Sequence, residues 1–123
     1  MQKILIVEDH ADIRRLIRMT LEFEDCDIHE APDAPTGWDM ARAIEPDVVL
    51  LDVMMPGALN GLDLCRAIKA DARLRKVVVI VLSARGSSAD RALGMQAGAD
   101  AYLVKPFSPM QLLELLGTGL ATR

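Results

Sequence analysis

The sequence predicts an α/β fold in which five parallel strands alternate with five helices. Short apolar segments, rich in β-branched residues, recur along the chain, most clearly at residues 4–7, 48–51 and 77–82. Between them, apolar residues return every three or four positions, which is the spacing of one buried helix face. Strands and helices that alternate in this way are typical of a parallel sheet with helices on both faces.

The bulk properties fit one globular domain over residues 1–123. The sequence is 51% hydrophobic and 26% charged, which is ordinary for a soluble domain. A net charge of −4 without a basic stripe argues against nucleic-acid binding.

The chain offers no candidate membrane segment. Its longest apolar run, residues 77–82, is far shorter than the roughly 20 residues that span a bilayer. The first strand begins too early to leave room for a signal peptide. Cys26 and Cys65 match no metal-binding spacing, so we expect free thiols in the reducing cytoplasm.

The first half of the chain begins with a strand at residues 4–7 and a helix with one apolar face. That face comprises Ile13, Leu16, Ile17 and Leu21. Residues 28–31 alternate in polarity and predict a half-exposed edge strand, on which His29 is solvated. Asp33 can cap a second helix that has Pro35 in its first turn. The buried stripe of that helix comprises Gly37, Met40, Ala41 and Ile44.

The middle of the chain holds the central strand, residues 48–51, which runs directly into Asp52. Asn60 can cap a third helix that turns Leu64 and Ile68 inward.

The fourth strand, residues 77–82, is apolar throughout, which predicts burial on both faces, and it ends at Ser83. Ser87 or Ser88 can cap the fourth helix, and Gly98 suits the position just after its end. The predicted inward face comprises Ala89, Ala92 and Leu93.

The last strand covers residues 101–104, and residues 108–111 have the form of a capping box with proline at the first helical position. The residues expected to face the core are Leu112, Leu115 and Leu116. We expect Gly117 and Gly119 to end this fifth helix.

Right-handed crossovers and an edge-like second strand favour the doubly wound strand order 2-1-3-4-5. In such a sheet, the ligand site lies at the carboxyl ends of strands 1 and 3. The side chains that follow these strand ends are Glu8, Asp9, Asp52, Ser83 and Lys105. Each has an ordinary explanation alone, as a helix-start acid, a turn residue or a surface charge. Because all of them are expected at the same edge of the sheet, they predict a functional site there.

Several carboxylates in one small cleft repel, by roughly 4 kcal/mol for a pair about 4 Å apart at an effective dielectric of about 20. Either a positive charge offsets this repulsion, and Lys105 supplies one, or one acid stays protonated. An oxygen-rich site of this kind suits Mg²⁺. Ser83 lacks a neighbouring histidine base in this set, which argues against a serine hydrolase. Phosphoryl transfer needs chiefly positioning and charge neutralisation, and Asp52 is the natural acceptor.

These residues belong to an ordered set of motifs. The motifs are Glu8-Asp9, Leu51-Asp52-Val53-Met54-Met55-Pro56-Gly57, Leu82-Ser83-Ala84, Gly98-Ala99-Asp100-Ala101-Tyr102 and Lys105-Pro106-Phe107. The set resembles the receiver domain of bacterial two-component response regulators, chemotaxis regulators among them, over residues 3 to about 116. The resemblance implies the flavodoxin-like version of the predicted fold.

The resemblance also implies roles for individual residues. Asp52 would accept a phosphoryl group from the phosphohistidine of a sensor histidine kinase or phosphotransfer protein, and Ser83 and Lys105 would hold that group. Mg²⁺ would be bound by Asp9, Asp52 and the backbone carbonyl of Met54, with Glu8 acting through water. Lys105–Pro106 would be a cis peptide. Ser83 and Tyr102 would form the switch.

The implied output surface is helix 4, strand 5 and helix 5. It would meet a downstream protein, a second copy of the chain in a dimer, or an output domain that this chain does not carry. On this interpretation the chain is a phosphorylated signalling switch that promotes only its own phosphoryl transfer and dephosphorylation. The sequence leaves open a stand-alone regulator or part of a longer protein.

Two features depart from the family pattern. The loop at residues 55–61 is one residue longer than the usual form, and His10 follows the acidic pair. His10 is either a harmless first-turn residue, which we favour, or a group that perturbs metal or phosphodonor access.

Two other functions stay open. One is a binding module that signals without phosphate on the same fold. The other is a Mg²⁺-dependent phosphatase with an aspartyl nucleophile, against which Met54 argues, because those enzymes resemble a pattern with a second aspartate there. A flavin site is not predicted, since few aromatic residues are available to stack on the ring.

Overall fold

The computed structural model describes residues 2–22, 24–53 and 60–120, with residues 117–120 described by backbone alone. Five strands alternate with five helices. The elements are β1 (Gln2–Val7), α1 (Ala11–Leu21), β2 (Cys26–Ala31), α2 (Ala34–Ile44), β3 (Val48–Asp52), α3 (Gly61–Ala70), β4 (Val78–Ser83), α4 (Ser88–Gln96), β5 (Ala101–Val104) and α5 (Pro109–Leu120).

The strands form one parallel sheet in the order β2-β1-β3-β4-β5. The predicted fold class and strand order are therefore confirmed. In the register of the sheet, Val7 pairs with Leu51, Asp52 with Leu82, and Ser83 with Val104. The carboxyl ends of β1, β3, β4 and β5 consequently meet at one edge.

Alternate residues of the buried strands point to opposite sides of the sheet. On one side, Leu5 and Leu51 pack in a cluster that includes residues of α2 and α3. On the other side, Ile4 and Leu50 pack in a cluster that includes residues of α1 and α5. Because both faces of the central strands are buried, β3 has no polar residue before Asp52.

The helix starts use the capping residues expected from the sequence. Asp33 accepts a hydrogen bond from the Thr36 N–H at 2.8 Å, and Asn60 forms a capping box with Asp63. Ser87, rather than Ser88, caps α4. The capping box of α5 pairs Ser108 with Gln111. Gly98, just after α4, has φ +102°, a conformation that favours glycine.

The buried faces of α1 and α4 differ from the prediction. On α1, Leu16 is 46% exposed, whereas Thr20 is buried beside Ile17 and Leu21. The Thr20 hydroxyl donates a hydrogen bond to the Leu16 carbonyl, so it is not left unpaired. The prediction of which face of α4 is buried was wrong, because Ala89, Ala92 and Leu93 are all exposed. Gly94 is buried instead, since α4 packs so closely on β5 that an added Cβ would lie 2.9 Å from the Tyr102 ring.

The end of α5 also differs from the prediction, because the helix runs through Gly117 and Gly119 to Leu120. A glycine inside a helix costs only about 1 kcal/mol, and the packing of Leu112 and Leu116 holds the element. In the described part of the chain, none of the helices has the length and apolarity that crossing a bilayer requires.

Candidate functional site

Glu8 lies directly beyond the last residue of β1 and is fully buried. Its N–H donates to the Ala31 carbonyl at 3.1 Å, which prolongs the pairing of β1 with β2. Its carbonyl accepts a hydrogen bond of 2.7 Å from Arg14 Nη1 on α1. These two bonds fix the backbone at the turn from β1 into α1, so the Glu8 and Asp9 side chains start from a constrained position.

Lys105 connects this turn to the end of β3. Its Nζ atom donates to Glu8 Oε1 at 2.6 Å and lies 3.3 Å from Asp52 Oδ1. The Lys105 side chain is 16% exposed and that of Asp52 is 2% exposed, so this pairing takes place away from bulk water. The Lys105 N–H donates to the Ser83 carbonyl at 2.7 Å, and the Lys105–Pro106 peptide is cis. The end of β5 thus carries the ammonium group to the two buried acids.

The charge of Glu8 is stabilised although the residue is buried. Burial raises its pKa, but the hydrogen bonds from Lys105 and from the His10 backbone N–H outweigh burial. The resulting pKa lies below the ordinary 4.5, at about 2. Glu8 is therefore a carboxylate at neutral pH, and Lys105 is its main counter-charge.

Asp9 and His10 complete the acidic cluster. Asp9 Oδ1 is buried and accepts no hydrogen bond from the described residues, although His10 Nδ1 lies 3.2 Å away. His10 Nδ1 is also 3.2 Å from Glu8 Oε2, and this hydrogen bond raises the pKa of the imidazole. The sequence argument favoured a passive His10, but the structure brings its ring among the acids.

The cluster has the composition of a cation site. Glu8, Asp9, His10 and Asp52 each offer one ligand atom, and these atoms all lie within 4.8 Å of one another. Three of the four groups are carboxylates, which are the hard oxygen ligands that Mg²⁺ prefers. The buried oxygen of Asp9, without a hydrogen bond, is a further reason to expect a cation here. The donor set therefore fits Mg²⁺.

Two expectations of the sequence analysis lie outside the described residues. The Met54 carbonyl, predicted as a metal ligand, is one of them. The other is the longer loop, of which only Asn60 and Gly61 are described.

Ser83 and Tyr102 both form hydrogen bonds with the backbone of Arg85. The Arg85 N–H donates to Ser83 Oγ at 3.0 Å, and the Tyr102 hydroxyl donates to the Arg85 carbonyl at 2.6 Å. Ser83 is buried, whereas the Tyr102 ring is half-buried against Gly94, with the Arg91 guanidinium 5.4 Å from its centroid. A pocket of about 180 Å³ is lined by Ser83, Arg85 and Tyr102, by Asp90 and Leu93 of α4, and by Val53, Asn60 and Leu62 beside them.

Sequence reasoning missed the contribution of Arg14. Besides its bond to the Glu8 carbonyl, its Nε atom lies 3.3 Å from Glu30 Oε1 on β2. The helical period places Arg14 opposite the apolar face of α1, because it gives only the direction of a side chain. An arginine is long enough to return to the sheet edge from that side.

The geometry of this sheet edge agrees with the family comparison. The family model for the response regulator receiver domain matches residues 4–117. The chain belongs to the response regulator receiver domain family. The resemblance inferred from the motifs is thereby confirmed, and with it the assignment to two-component signal transduction.

Curated relatives agree with this assignment. The receiver domain is 43% identical over 113 residues to the transcriptional regulatory protein ResD of Bacillus subtilis. It is 38% identical over 112 residues to the DNA-binding response regulator MtrA of Mycobacterium tuberculosis. These alignments cover 90% and 91% of this chain but 45% and 47% of the relatives. The chain spans about half the length of the curated relatives it matches.

Solved structures share the whole fold. Chemotaxis protein CheY4 of Vibrio cholerae matches with a TM-score of 0.89 and 29% identity, over 96% of this chain and 98% of that one. The receiver domain of sensor histidine kinase PA1611 from Pseudomonas aeruginosa matches with a TM-score of 0.86 and 31% identity, over 95% of each chain. The PA1611 structure has a magnesium ion coordinated in its active-site cleft.

Proposed function

We propose that this receiver domain is a phosphorylation switch in which Asp52 accepts a phosphoryl group from the phosphohistidine of a sensor histidine kinase or phosphotransfer protein. One observation carries the proposal: Lys105 Nζ bridges Glu8 and Asp52 at the edge where four strands end. A phosphoryl group brings negative charge into the site, and this charge must be neutralised. The ammonium group beside the buried Asp52 carboxylate can do this.

The reaction uses few groups. A carboxylate oxygen of Asp52 attacks phosphorus, the phosphorus–nitrogen bond of the donor breaks, and the donor imidazole leaves and keeps a nitrogen-bound proton. Lys105, already within reach of Asp52, moves its ammonium group toward the phosphoryl oxygens. The Ser83 hydroxyl donates to one of those oxygens from the end of β4. The acyl phosphate is lost again when water attacks it, so the domain promotes only its own phosphorylation and dephosphorylation.

Mg²⁺ would be held by Asp9 and Asp52, with the Met54 carbonyl as a further ligand and Glu8 acting through water. When bound, the ion supplies positive charge that offsets the phosphoryl oxygens and the clustered carboxylates. The buried oxygen of Asp9 supports its role as a ligand.

The switch is the contact between Ser83, Arg85 and Tyr102. A phosphoryl group of about −1.5 to −2 charge draws the Ser83 hydroxyl toward itself, away from the Arg85 N–H. Because the Arg85 carbonyl accepts the Tyr102 hydroxyl, a change at Ser83 reaches the outer face of β5 through one residue. The face formed by α4, β5 and α5 would then bind a downstream protein, an output domain or a second copy of the chain.

We further propose that residues 1–123 act as a single domain in the cytoplasm, in keeping with two free cysteines among the described residues.

Intact-mass spectrometry after incubation with acetyl phosphate tests the proposal. We expect one added phosphoryl group with Mg²⁺, and none in Mg²⁺-free buffer or in the Asp52→Asn variant. Asp39→Asn, which removes an exposed carboxylate on α2, is the matched control and should be phosphorylated like the wild type. Absence of a mass gain in folded wild-type protein would instead favour a phosphate-independent binding module. Steady release of phosphate from small phosphate esters would favour a phosphatase.

A further inference from the structure

His10 adds a nitrogen atom to a site that otherwise consists of carboxylates. We propose that His10 Nδ1 is a metal ligand, so that this receiver domain binds borderline ions such as Zn²⁺ and Co²⁺ much more tightly than an all-oxygen site would. The inference rests on the proposed metal site of Asp9 and Asp52, and it concerns the selectivity of that site.

The spacing of the ligand atoms supports this role. His10 Nδ1 lies 3.2 Å from Asp9 Oδ1. An ion bound by both atoms would replace the hydrogen bond between His10 Nδ1 and Glu8 Oε2, which is also 3.2 Å long. Two neighbouring ligands of one ion, each about 2.1 Å from it, are roughly 3.0 Å apart in an octahedron and roughly 3.4 Å apart in a tetrahedron. The nitrogen atom is therefore at the distance from the Asp9 oxygen that two ligands of a shared ion require.

The Asp9 oxygen is available for such an ion. Its Oδ1 atom is buried and accepts no hydrogen bond from the described residues, so the short approach of the imidazole does not satisfy it. A buried carboxylate oxygen in this state costs free energy, and a cation placed between Asp9 and His10 would remove that cost.

Two hydrogen bonds fix the backbone of His10 beside the cluster. The His10 N–H donates to Glu8 Oε2 at 3.2 Å, and the His10 carbonyl accepts from the Arg14 N–H at 3.0 Å. His10 is the N-cap residue of α1, but its side chain makes no capping hydrogen bond and is not needed for the helix start. The His10 side chain is 61% exposed, so an ion can reach the ring from solvent.

The chemistry of the donors predicts which ions gain. Imidazole nitrogen suits Zn²⁺, Co²⁺ and Ni²⁺, whereas Mg²⁺ prefers carboxylates, carbonyls and water and keeps several of its waters. Loss of the imidazole should therefore weaken binding of Zn²⁺ and Co²⁺ and leave binding of Mg²⁺ almost unchanged.

The experiment compares three ions on the full chain at one fixed, mildly alkaline pH. Co²⁺ binding is followed by its visible absorption, Zn²⁺ binding by competition with Co²⁺, and Mg²⁺ binding by calorimetry. The variants are His10→Ala and His29→Ala, which removes the only other histidine and is the matched control. Asp52→Asn tests whether the same carboxylate site is involved.

We expect His10→Ala to weaken Co²⁺ and Zn²⁺ by at least 10- to 100-fold, since loss of even an outer partner of a ligand has an effect of this order. Mg²⁺ affinity should change by less than about threefold. His29→Ala should leave all three affinities unchanged, and Asp52→Asn should weaken all three. In proton NMR spectra, Zn²⁺ should shift the imidazole signal that is missing from His10→Ala.

Three results would overturn this inference alone, provided that wild-type protein binds Mg²⁺ and is phosphorylated at Asp52. They are an equal loss of affinity for all three ions in His10→Ala, unchanged affinities in His10→Ala, or a loss of Co²⁺ and Zn²⁺ affinity in His29→Ala. If wild-type protein binds neither Mg²⁺ nor Co²⁺, or if Asp52→Asn binds them as well as wild type does, the proposed metal site fails, and the inference fails with it.

Discussion

Replacement of Asp52 by asparagine should stabilise the metal-free protein, although Asp52 is buried and bonded to Lys105. The substitution keeps the shape of the side chain and removes its charge. Two repulsions disappear, those with Glu8 and Asp9, whose ligand atoms lie within 4.8 Å of that of Asp52. At 4.8 Å, the upper limit of these distances, and an effective dielectric of about 20, each repulsion amounts to roughly 3.5 kcal/mol.

The substitution also removes the attraction between Asp52 and Lys105. At 3.3 Å and the same dielectric, this attraction is roughly 5 kcal/mol. The two lost repulsions exceed the one lost attraction by about 2 kcal/mol. The free energy of unfolding of Asp52→Asn should therefore rise by about 2 kcal/mol, with a rise in Tm of roughly 5–10 °C.

Urea unfolding in chelator, followed by circular dichroism, measures this difference, and the exposed Asp39→Asn should stay within about 0.5 kcal/mol of wild type. Addition of MgCl₂ should stabilise wild type and leave Asp52→Asn almost unchanged, because an ion that binds only the folded protein adds to its stability. A loss of 1 kcal/mol or more in metal-free Asp52→Asn would refute the electrostatic reasoning. It would mean that the bond to Lys105 outweighs the crowding of the carboxylates.

Three further predictions follow from the same contacts. Lys105→Met should lower the free energy of unfolding by about 3–5 kcal/mol in urea titrations, because it leaves Glu8 buried without its counter-charge. Because the pKa of Glu8 is lowered from 4.5 to about 2, its contribution is complete above about pH 4.5 and is lost as pH falls toward 2. Acid titration followed by circular dichroism should therefore show a weaker loss of stability in Glu8→Gln between these pH values. Gly94→Ala should cost about 1–3 kcal/mol in urea, since its Cβ would lie 2.9 Å from the Tyr102 ring.

Each of these has an outcome that counts against it. Wild-type stability in Lys105→Met would mean that the acids are neutralised by protons instead. Parallel acid titrations of wild type and Glu8→Gln would remove Glu8 as a source of pH dependence. For Gly94→Ala, the exposed Ala92→Gly on the same helix is a control for helix propensity alone, about 1 kcal/mol. If the ring moved aside freely, Gly94→Ala would instead gain about the stability that Ala92→Gly loses.

The fold and the set of polar strand ends could be predicted because both depend on local patterns. Apolar runs, and alternating polarity at residues 28–31, predicted the strands. Capping residues such as Asp33 and Asn60 predicted helix starts within one or two residues. The strand order followed from one edge-like segment and the handedness of crossovers. Once that order was fixed, Glu8, Asp52 and Lys105 had to lie at the same edge.

The sequence did not predict contacts that depend on how elements approach each other. The helical period marks a stripe of residues, but the depth to which a helix packs decides how much of that stripe is buried. On α4 the close approach to Tyr102 buries Gly94 and leaves Leu93 exposed. The bond from Arg14 to the Glu8 carbonyl and the approach of His10 to the acids depend on the turn after β1, for which no sequence pattern was available.

The central claim is that Asp52, and no other acid of the cluster, carries the phosphoryl group. The most direct measurement is borohydride reduction of the phosphorylated protein, which converts an aspartyl phosphate into homoserine, followed by peptide sequencing in a mass spectrometer. We predict homoserine at position 52 and unmodified aspartate at position 9. Homoserine at position 9, or an unmodified position 52 in protein that had gained a phosphoryl group, would contradict the account.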